Sequence, residues 1–119
     1  HGEKTAAFYR DLLGYFEMQP IYEGDGMRGI SDGNISFWVM ATSPESKGQS
    51  FNRDANGLNH FGLKVDNKEA VAAFSSEFLQ PRGIEPQFGT PRPRPDFSPT
   101  YYQVMFVDPE GLAIEVFCS

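Results

Sequence analysis

The most informative segment of the chain reads Asp108-Pro109-Glu110-Gly111-Leu112-Ala113-Ile114-Glu115-Val116-Phe117. Its first residues have the chemistry of a turn, and the remainder is typical of a β-strand. Successive side chains of a strand point to opposite faces, so Glu115 shares a face with Ala113 and Phe117. The apolar Ile114 and Val116 then face the other way, where a helix would cover them. The segment predicts a sheet that is packed on one side only.

An internal repeat accompanies this strand. The tripeptide Ala6-Ala7-Phe8 recurs as Ala72-Ala73-Phe74, at an offset of 66 residues. The earlier copy also ends in a turn and an alternating strand, Asp32-Gly33-Asn34-Ile35-Ser36-Phe37-Trp38. The two copies share few identities, which leaves chance as an alternative, but the common order of elements favours a duplication.

Hydrophobic periodicity predicts two helices, at residues 3–13 and 68–79, the second with Asp66 or Asn67 as its N-cap. Short segments rich in β-branched and aromatic residues predict seven strands: 15–22, 27–32, 35–40, 58–65, 84–88, 101–107 and 113–118. The second copy therefore reads βαβββ and the first reads αβββ. The strand that the offset would place before residue 1 is missing, so we expect either a fragment of a longer protein, which we favour, or a first copy with three strands.

Composition limits the classes of partner. Ten Lys and Arg residues against sixteen Asp and Glu give a net charge of −6, which disfavours nucleic acid. No apolar run approaches the roughly 20 residues that a membrane-spanning helix needs. The lone cysteine, Cys118, suits a reducing compartment. We therefore expect a cytoplasmic protein with neither nucleic-acid nor membrane partners.

Five of the nine prolines lie between Pro86 and Pro99. A segment of this composition resists regular structure, so we expect an irregular loop that serves as a lid or rim or is simply solvated.

Three segments of the chain resemble the vicinal oxygen chelate superfamily, which includes glyoxalase I, bleomycin-resistance proteins and extradiol dioxygenases. They are the helix Ala7-Phe8-Tyr9-Arg10-Asp11-Leu12-Leu13-Gly14, the strand Asn59-His60-Phe61-Gly62-Leu63-Lys64-Val65, and the closing run from Tyr101 to Phe117. The resemblance covers nearly the whole chain.

The resemblance implies a single α+β domain over residues 1–119, built from two βαβββ modules that form a curved mixed sheet with a concave cup. Module 1 would occupy about residues 1–42 and lack its first strand, a linker about 43–57, and module 2 about 58–119. Open sheet edges benefit from pairing, so we expect a homodimer.

In this superfamily metal ligands lie on the first and last strands of each module. The resemblance places His60 and Glu115 at those positions in module 2, as ligands for Fe, Mn, Ni or Zn. In module 1 the histidine would precede residue 1, and Ser36 occupies the place of the carboxylate. The alternative is that no metal binds, His60 being a hydrogen-bonded histidine and Glu115 a plain pocket or surface carboxylate.

Strand alternation groups Ser36 with Trp38 and Met40, and Glu115 with Phe117. These side chains would line an apolar pocket for a flat organic ligand, unless Trp38 is ordinary core. The catalytic residues are unknown at this stage.

Three functions remain open. The leading hypothesis is a glyoxalase- or dioxygenase-like lyase, isomerase or ring-cleaving dioxygenase that uses a divalent metal on a small oxygenated molecule. The alternative is a metal-free protein of the bleomycin-resistance type that sequesters a drug-like compound. A purely structural or regulatory domain is the third.

Overall fold

The computed structural model describes residues 2–119, which form two compact units. The first unit ends at Ser50 and the second begins at Phe51. Within residues 2–119, no helix combines the length and apolar character that crossing a bilayer requires.

The first unit is one helix and a three-stranded antiparallel sheet. The helix buries a stripe of side chains at helical spacing, Ala6, Tyr9, Leu12 and Leu13. The elements are α1 (Gly2–Tyr15), β1 (Gln19–Gly24), β2 (Met27–Ser31) and β3 (Ser36–Met40). The strands lie in the sheet in the order β1-β2-β3.

The start of β1 differs from the prediction. The expected strand began at Tyr15, after a helix stop at Gly14, but Tyr15 is the last residue of α1. The backbone N–H of Met18 bonds to the carbonyl of Leu13, and Glu17 takes the left-handed conformation with φ 64°. The reversal that was assigned to Gly14 is therefore made three residues later, by a residue without the steric freedom of glycine.

The second unit has the βαβββ order that was predicted for the second copy. The elements are β4 (His60–Lys64), α2 (Lys68–Phe74) continued by a π-helical turn (Ser75–Leu79), β5 (Gln87–Pro93), β6 (Tyr102–Val107) and β7 (Ala113–Cys118). The sheet order is β4-β7-β6-β5, with β4 parallel to β7 and the other pairs antiparallel. Asn67 is the N-cap of α2, because its Oδ1 accepts from the N–H of Ala70 at 2.8 Å.

β5 corrects a second prediction, because it extends into the proline-rich segment that was expected to be irregular. Prolines are tolerated there because β5 is an edge strand of its sheet. A break in register between Gln87 and Arg92 spans the sequence around Pro91. Across that break, Thr90 Oγ1 accepts from the N–H of Met105 at 2.9 Å and donates to the carbonyl of Gln87 at 2.6 Å. The hydroxyl of Thr90 thus replaces one of the backbone hydrogen bonds that are missing between β5 and β6 at this break.

α2 and its π-helical continuation cover one face of the second sheet. Phe74 stacks on Phe78 with ring centroids 5.2 Å apart and lies 5.4 Å from the ring of Phe106. On the same side, Ile114 and Val116 are fully buried, as the alternation predicted. Each such side chain contributes roughly 1.5–3 kcal/mol through burial. Since this face supplies the core of the unit, the opposite face is left for other uses.

The two copies share a detail of their final turns. Asp32 Oδ1 accepts from the N–H groups of Asn34 and Ile35 at 2.8 Å. Asp108 Oδ1 accepts in the same manner from Glu110 and Leu112, at 2.8 and 2.9 Å. An aspartate therefore closes the turn before the last strand of each copy, which supports the interpretation of a duplication.

Candidate functional site

His60 and Glu115 lie on the same face of the second sheet, opposite α2. In the parallel pairing of β4 with β7, Gly62 is opposite Glu115, and His60 lies two residues before Gly62. His60 and Glu115 are on neighbouring strands and offset by two residues, so their Cα atoms are about 8 Å apart. The fold therefore brings the two predicted ligand residues to one surface.

Gly62 leaves room beside the carboxylate. A Cβ at this position would lie 3.1 Å from Glu115 Oε1 and 2.9 Å from Cε1 of Phe117. Any side chain would push against both groups, so glycine lets the carboxylate and the ring approach the backbone of β4.

Glu115 is a buried carboxylate that is held by neutral donors. It is 7% exposed. Its Oε2 accepts from the hydroxyl of Tyr101 and from Nε2 of Gln103, both at 2.8 Å. Within residues 2–119 it forms no ion pair, and Oε1 accepts no hydrogen bond. Burying a carboxylate is costly unless it is hydrogen-bonded or paired, and Oε2 meets this requirement through its two donors.

The side-chain amide of Gln103 bonds both to Glu115 and to the guanidinium of Arg94, and Arg94 forms no ion pair with the carboxylate itself. The amide is 1% exposed, and its Oε1 accepts from Nη1 of Arg94 at 3.0 Å. Arg94 also forms a two-point ion pair with Asp96, at 3.0 and 2.7 Å, which raises the pKa of the guanidinium. The contact with Arg94 fixes the orientation of the amide, so that its NH₂ group faces Glu115.

Tyr101 is fixed by aromatic neighbours. Its ring stacks on Phe117 at 5.2 Å and meets the edge of Phe97 at 5.2 Å. Desolvation, followed by the hydrogen bond to Glu115, raises the pKa of the phenol well above its usual value of 10. The hydroxyl therefore stays protonated at neutral pH and remains a donor. The rings of Tyr101 and Phe117 form an apolar wall beside the carboxylate.

The other predicted ligand residue, His60, is exposed. Its ring Nδ1 lies 2.8 Å from Oδ1 of Asn59. Asn59 is in turn bonded to Arg53, both through Nη2 and through the backbone carbonyl. Among residues 2–119, no cluster of three or more His, Cys, Asp or Glu side chains is arranged to hold a metal ion.

The remaining predicted pocket residues lie in the first unit. Ser36, Trp38 and Met40 share one face of β3, with Trp38 opposite Gly29 on β2. Trp38 is 50% exposed and Met40 64% exposed, so Trp38 is not ordinary core. A Cβ on Gly29 would lie 2.9 Å from the indole, and the Tyr22 ring is 6.0 Å from that of Trp38. This face is an exposed aromatic surface.

Comparison with solved structures identifies the fold. A candidate glyoxalase from Bacillus halodurans superposes with a TM-score of 0.88 at 23% identity, covering 100% of this chain and 88% of that chain. A lactoylglutathione lyase from Agrobacterium tumefaciens gives 0.68 at 19% identity over 98% and 84% of the two chains. A glyoxylase/bleomycin resistance protein/dioxygenase domain from a Frankia species gives 0.71 at 16% identity over 98% and 82%. The chain has the vicinal oxygen chelate fold.

No protein-family model matches the chain, and no curated protein does. The vicinal oxygen chelate fold is therefore recognised here through structure and through the short motifs of the sequence, at identities below 25%.

Sequence reasoning missed the residues that surround the two ligand candidates, His60 and Glu115. Tyr101, Gln103 and Asn59 were not identified as site residues. One signal was available: Gln103 is a single amide in an otherwise apolar and aromatic strand. Because Met105 is opposite Glu115 in the register of β6 and β7, Gln103 lies on the Glu115 face.

Proposed function

We propose that the protein is an enzyme of the glyoxalase/dioxygenase type, which acts on a small oxygenated organic molecule with the help of a divalent metal ion. His60 and Glu115 would hold the ion. The reaction would belong to the lyase, isomerase or ring-cleaving dioxygenase classes, and the neighbour from Agrobacterium tumefaciens is named as a lyase.

The observation that carries this proposal is the state of Glu115. Within residues 2–119 Glu115 has no ion-pair partner, and its Oε1 accepts no hydrogen bond, so this oxygen is available to bind a cation. That oxygen lies on the side of β4, above Gly62. The exposed imidazole of His60 is on the same face.

The donor chemistry of the pair fits a borderline divalent ion. Imidazole nitrogen and carboxylate oxygen suit Zn, Fe, Mn and Ni. Two protein ligands would leave positions for water and for neighbouring oxygen atoms of a substrate. When bound, such an ion would polarise a carbonyl or hydroxyl oxygen of the substrate.

The chain's own residues would prepare this site. Tyr101 and Gln103 hold Oε2 of Glu115, so that the carboxylate keeps one orientation. Phe117, stacked on Tyr101, provides an apolar surface that a flat substrate could contact and that excludes water from one side.

The test is the metal content of the purified protein after separate incubation with Fe²⁺, Mn²⁺, Ni²⁺ and Zn²⁺ and removal of excess ion. We expect near-stoichiometric binding of at least one ion by the wild type and a large loss in His60→Ala. Lys64→Ala is the matched control, because Lys64 lies on the same strand and the same face. The metal-loaded protein would then be assayed for activity on vicinal diols and 2-oxo aldehydes. A wild type that retains none of the four ions would contradict the proposal.

The exposed aromatic face around Trp38 favours a second candidate function. On this alternative, the protein binds a flat organic compound without a metal ion, as in the bleomycin-resistance type described above. Trp38 is the only tryptophan of the chain, so its fluorescence reports on this face alone. Saturable quenching by planar aromatic compounds, unchanged by a chelator and by His60→Ala, would support this function. Quenching that is absent or does not saturate would count against it.

A further inference from the structure

Asn59 connects the loop before β4 to the imidazole of His60. Its Oδ1 lies 2.8 Å from Nδ1 of His60 and accepts from Nη2 of Arg53 at 3.3 Å. Its Nδ2 donates to the backbone carbonyl of Arg53 at 3.0 Å. The amide is half-buried, whereas His60 is exposed.

The contacts with Arg53 determine which way the amide points. In the opposite orientation, Oδ1 would face the Arg53 carbonyl, an acceptor against an acceptor. The NH₂ group would at the same time face the guanidinium, a donor against a donor. Both contacts would be repulsive, so the oxygen of Asn59 is the atom that faces His60.

The loop that carries Arg53 is itself held in place. The N–H of Asp54 donates to Oδ1 of Asn52 at 2.9 Å, and the N–H of Ala55 bonds to the carbonyl of Asn52 at 3.1 Å. The guanidinium of Arg53 also lies 5.7 Å from the centre of the Phe88 ring. The backbone carbonyl that orients Asn59 therefore belongs to an organised turn.

An amide oxygen can only accept, so the 2.8 Å contact requires a proton on Nδ1 of His60. We propose that Asn59, anchored by Arg53, is a positioning residue that holds neutral His60 in the Nδ1–H tautomer and leaves the lone pair on Nε2. The functional part of this inference rests on the proposed function: Nε2 becomes the atom that offers a lone pair to a divalent ion on the Glu115 face. A partner on the second nitrogen is how metal-binding histidines are commonly oriented.

The experiment is long-range ¹H–¹⁵N NMR of the imidazole rings in metal-free protein, under alkaline conditions where imidazoles are neutral. The chain has two histidines, so comparison with His60→Ala assigns the signals of His60. We expect the pattern of a protonated Nδ1 and a bare Nε2. In Asn59→Leu, which removes the acceptor, the population should move towards the Nε2–H tautomer. In Asn59→Asp, which keeps an acceptor oxygen, the Nδ1–H tautomer should persist.

Metal affinity of the same variants is the second readout. We expect a 10- to 100-fold loss in Asn59→Leu and little loss in Asn59→Asp. A change in fold would appear in the backbone amide spectrum and would not produce this difference between the two variants.

The outcomes separate the inference from the function on which it rests. A wild-type His60 that is protonated on Nε2 would overturn the inference, even if the protein binds metal. An Asn59→Leu variant that keeps the wild-type Nδ1–H tautomer would also overturn it. If Asn59→Leu shifts the tautomer as expected but the wild type binds none of the four ions, the role of Asn59 stands and the metal-dependent function is contradicted.

Discussion

Replacing Gly62 by alanine tests the close packing around Glu115. The added methyl group would lie 2.9 Å from Cε1 of Phe117 and 3.1 Å from Oε1 of Glu115. Real Cβ atoms essentially never approach another atom as closely as 2.9 Å, so the Phe117 ring or the backbone of β4 has to move, whereas the 3.1 Å contact needs only a small shift of the carboxylate. The Phe117 ring is restrained on its other side by its stack with Tyr101.

The magnitude follows from two opposing effects. Overpacking of this kind typically costs about 1–3 kcal/mol. Alanine loses less backbone entropy than glycine on folding, which returns about 0.5–1 kcal/mol. At mid-range values the packing effect is the larger, so we expect Gly62→Ala to lower the free energy of unfolding by about 1 kcal/mol.

Urea unfolding followed by circular dichroism measures this change, with Lys64→Ala as the control on the same strand. The control should stay within about 0.5 kcal/mol of the wild type. The variant Phe117→Leu, which has a smaller side chain beside Gly62, completes a double-mutant cycle. In that background, Gly62→Ala should cost less, by a coupling energy of about 0.5–1.5 kcal/mol. A Gly62→Ala protein as stable as the wild type, or the same cost in both backgrounds, would refute the reasoning.

Three further predictions concern hydrogen bonds. Gln103→Leu removes a buried donor to Glu115 and should lower the free energy of unfolding, measured in urea, by about 1–3 kcal/mol. A loss below about 0.5 kcal/mol would contradict this and would mean that the carboxylate finds another donor. Thr90→Val leaves the N–H of Met105 without its acceptor at the register break of β5. That amide should then exchange with deuterium faster, and the free energy of unfolding should fall by about 1–3 kcal/mol. Unchanged exchange would contradict the claim that the Thr90 hydroxyl replaces a backbone hydrogen bond between β5 and β6. Backbone donors hold the pKa of Asp32 below its usual value of 3.8, so its contribution to stability is complete above that value and disappears as the pH falls through the lower, folded-state pKa. An NMR titration of Asp32 should give that lower pKa, and a value at or above 3.8 would contradict the turn geometry.

Much of the second unit could be predicted because its signals are local. The parity of Glu115 against Ile114 and Val116 indicated which face a helix covers, and the structure confirms it. The sequence predicts Asp66 or Asn67 as the N-cap of α2, and in the structure the N-cap is Asn67. These features depend on residues a few positions apart, where periodicity and capping chemistry act directly.

The errors arose where distant parts of the chain decide the outcome. The β5 strand depends on a hydroxyl, Thr90, that bonds to a residue fifteen positions away. The partners of Glu115 come from the neighbouring strand and from the segment before it, so their register had to be known before Tyr101 and Gln103 could be associated with the carboxylate. A further error is local: α1 continues to Tyr15, and the turn expected at Gly14 is made at Glu17 instead.

The prolines of β5 also affect how the protein behaves at high concentration. An open sheet edge is a template on which another chain can add a strand, and repeated addition leads to aggregation. Pro91 and Pro93 have no N–H, so two positions on this edge strand offer no donor to an arriving chain. The irregular register next to them makes a matching partner strand still harder to form. The segment that breaks the usual rules for a strand thus protects one edge of the sheet from polymerisation.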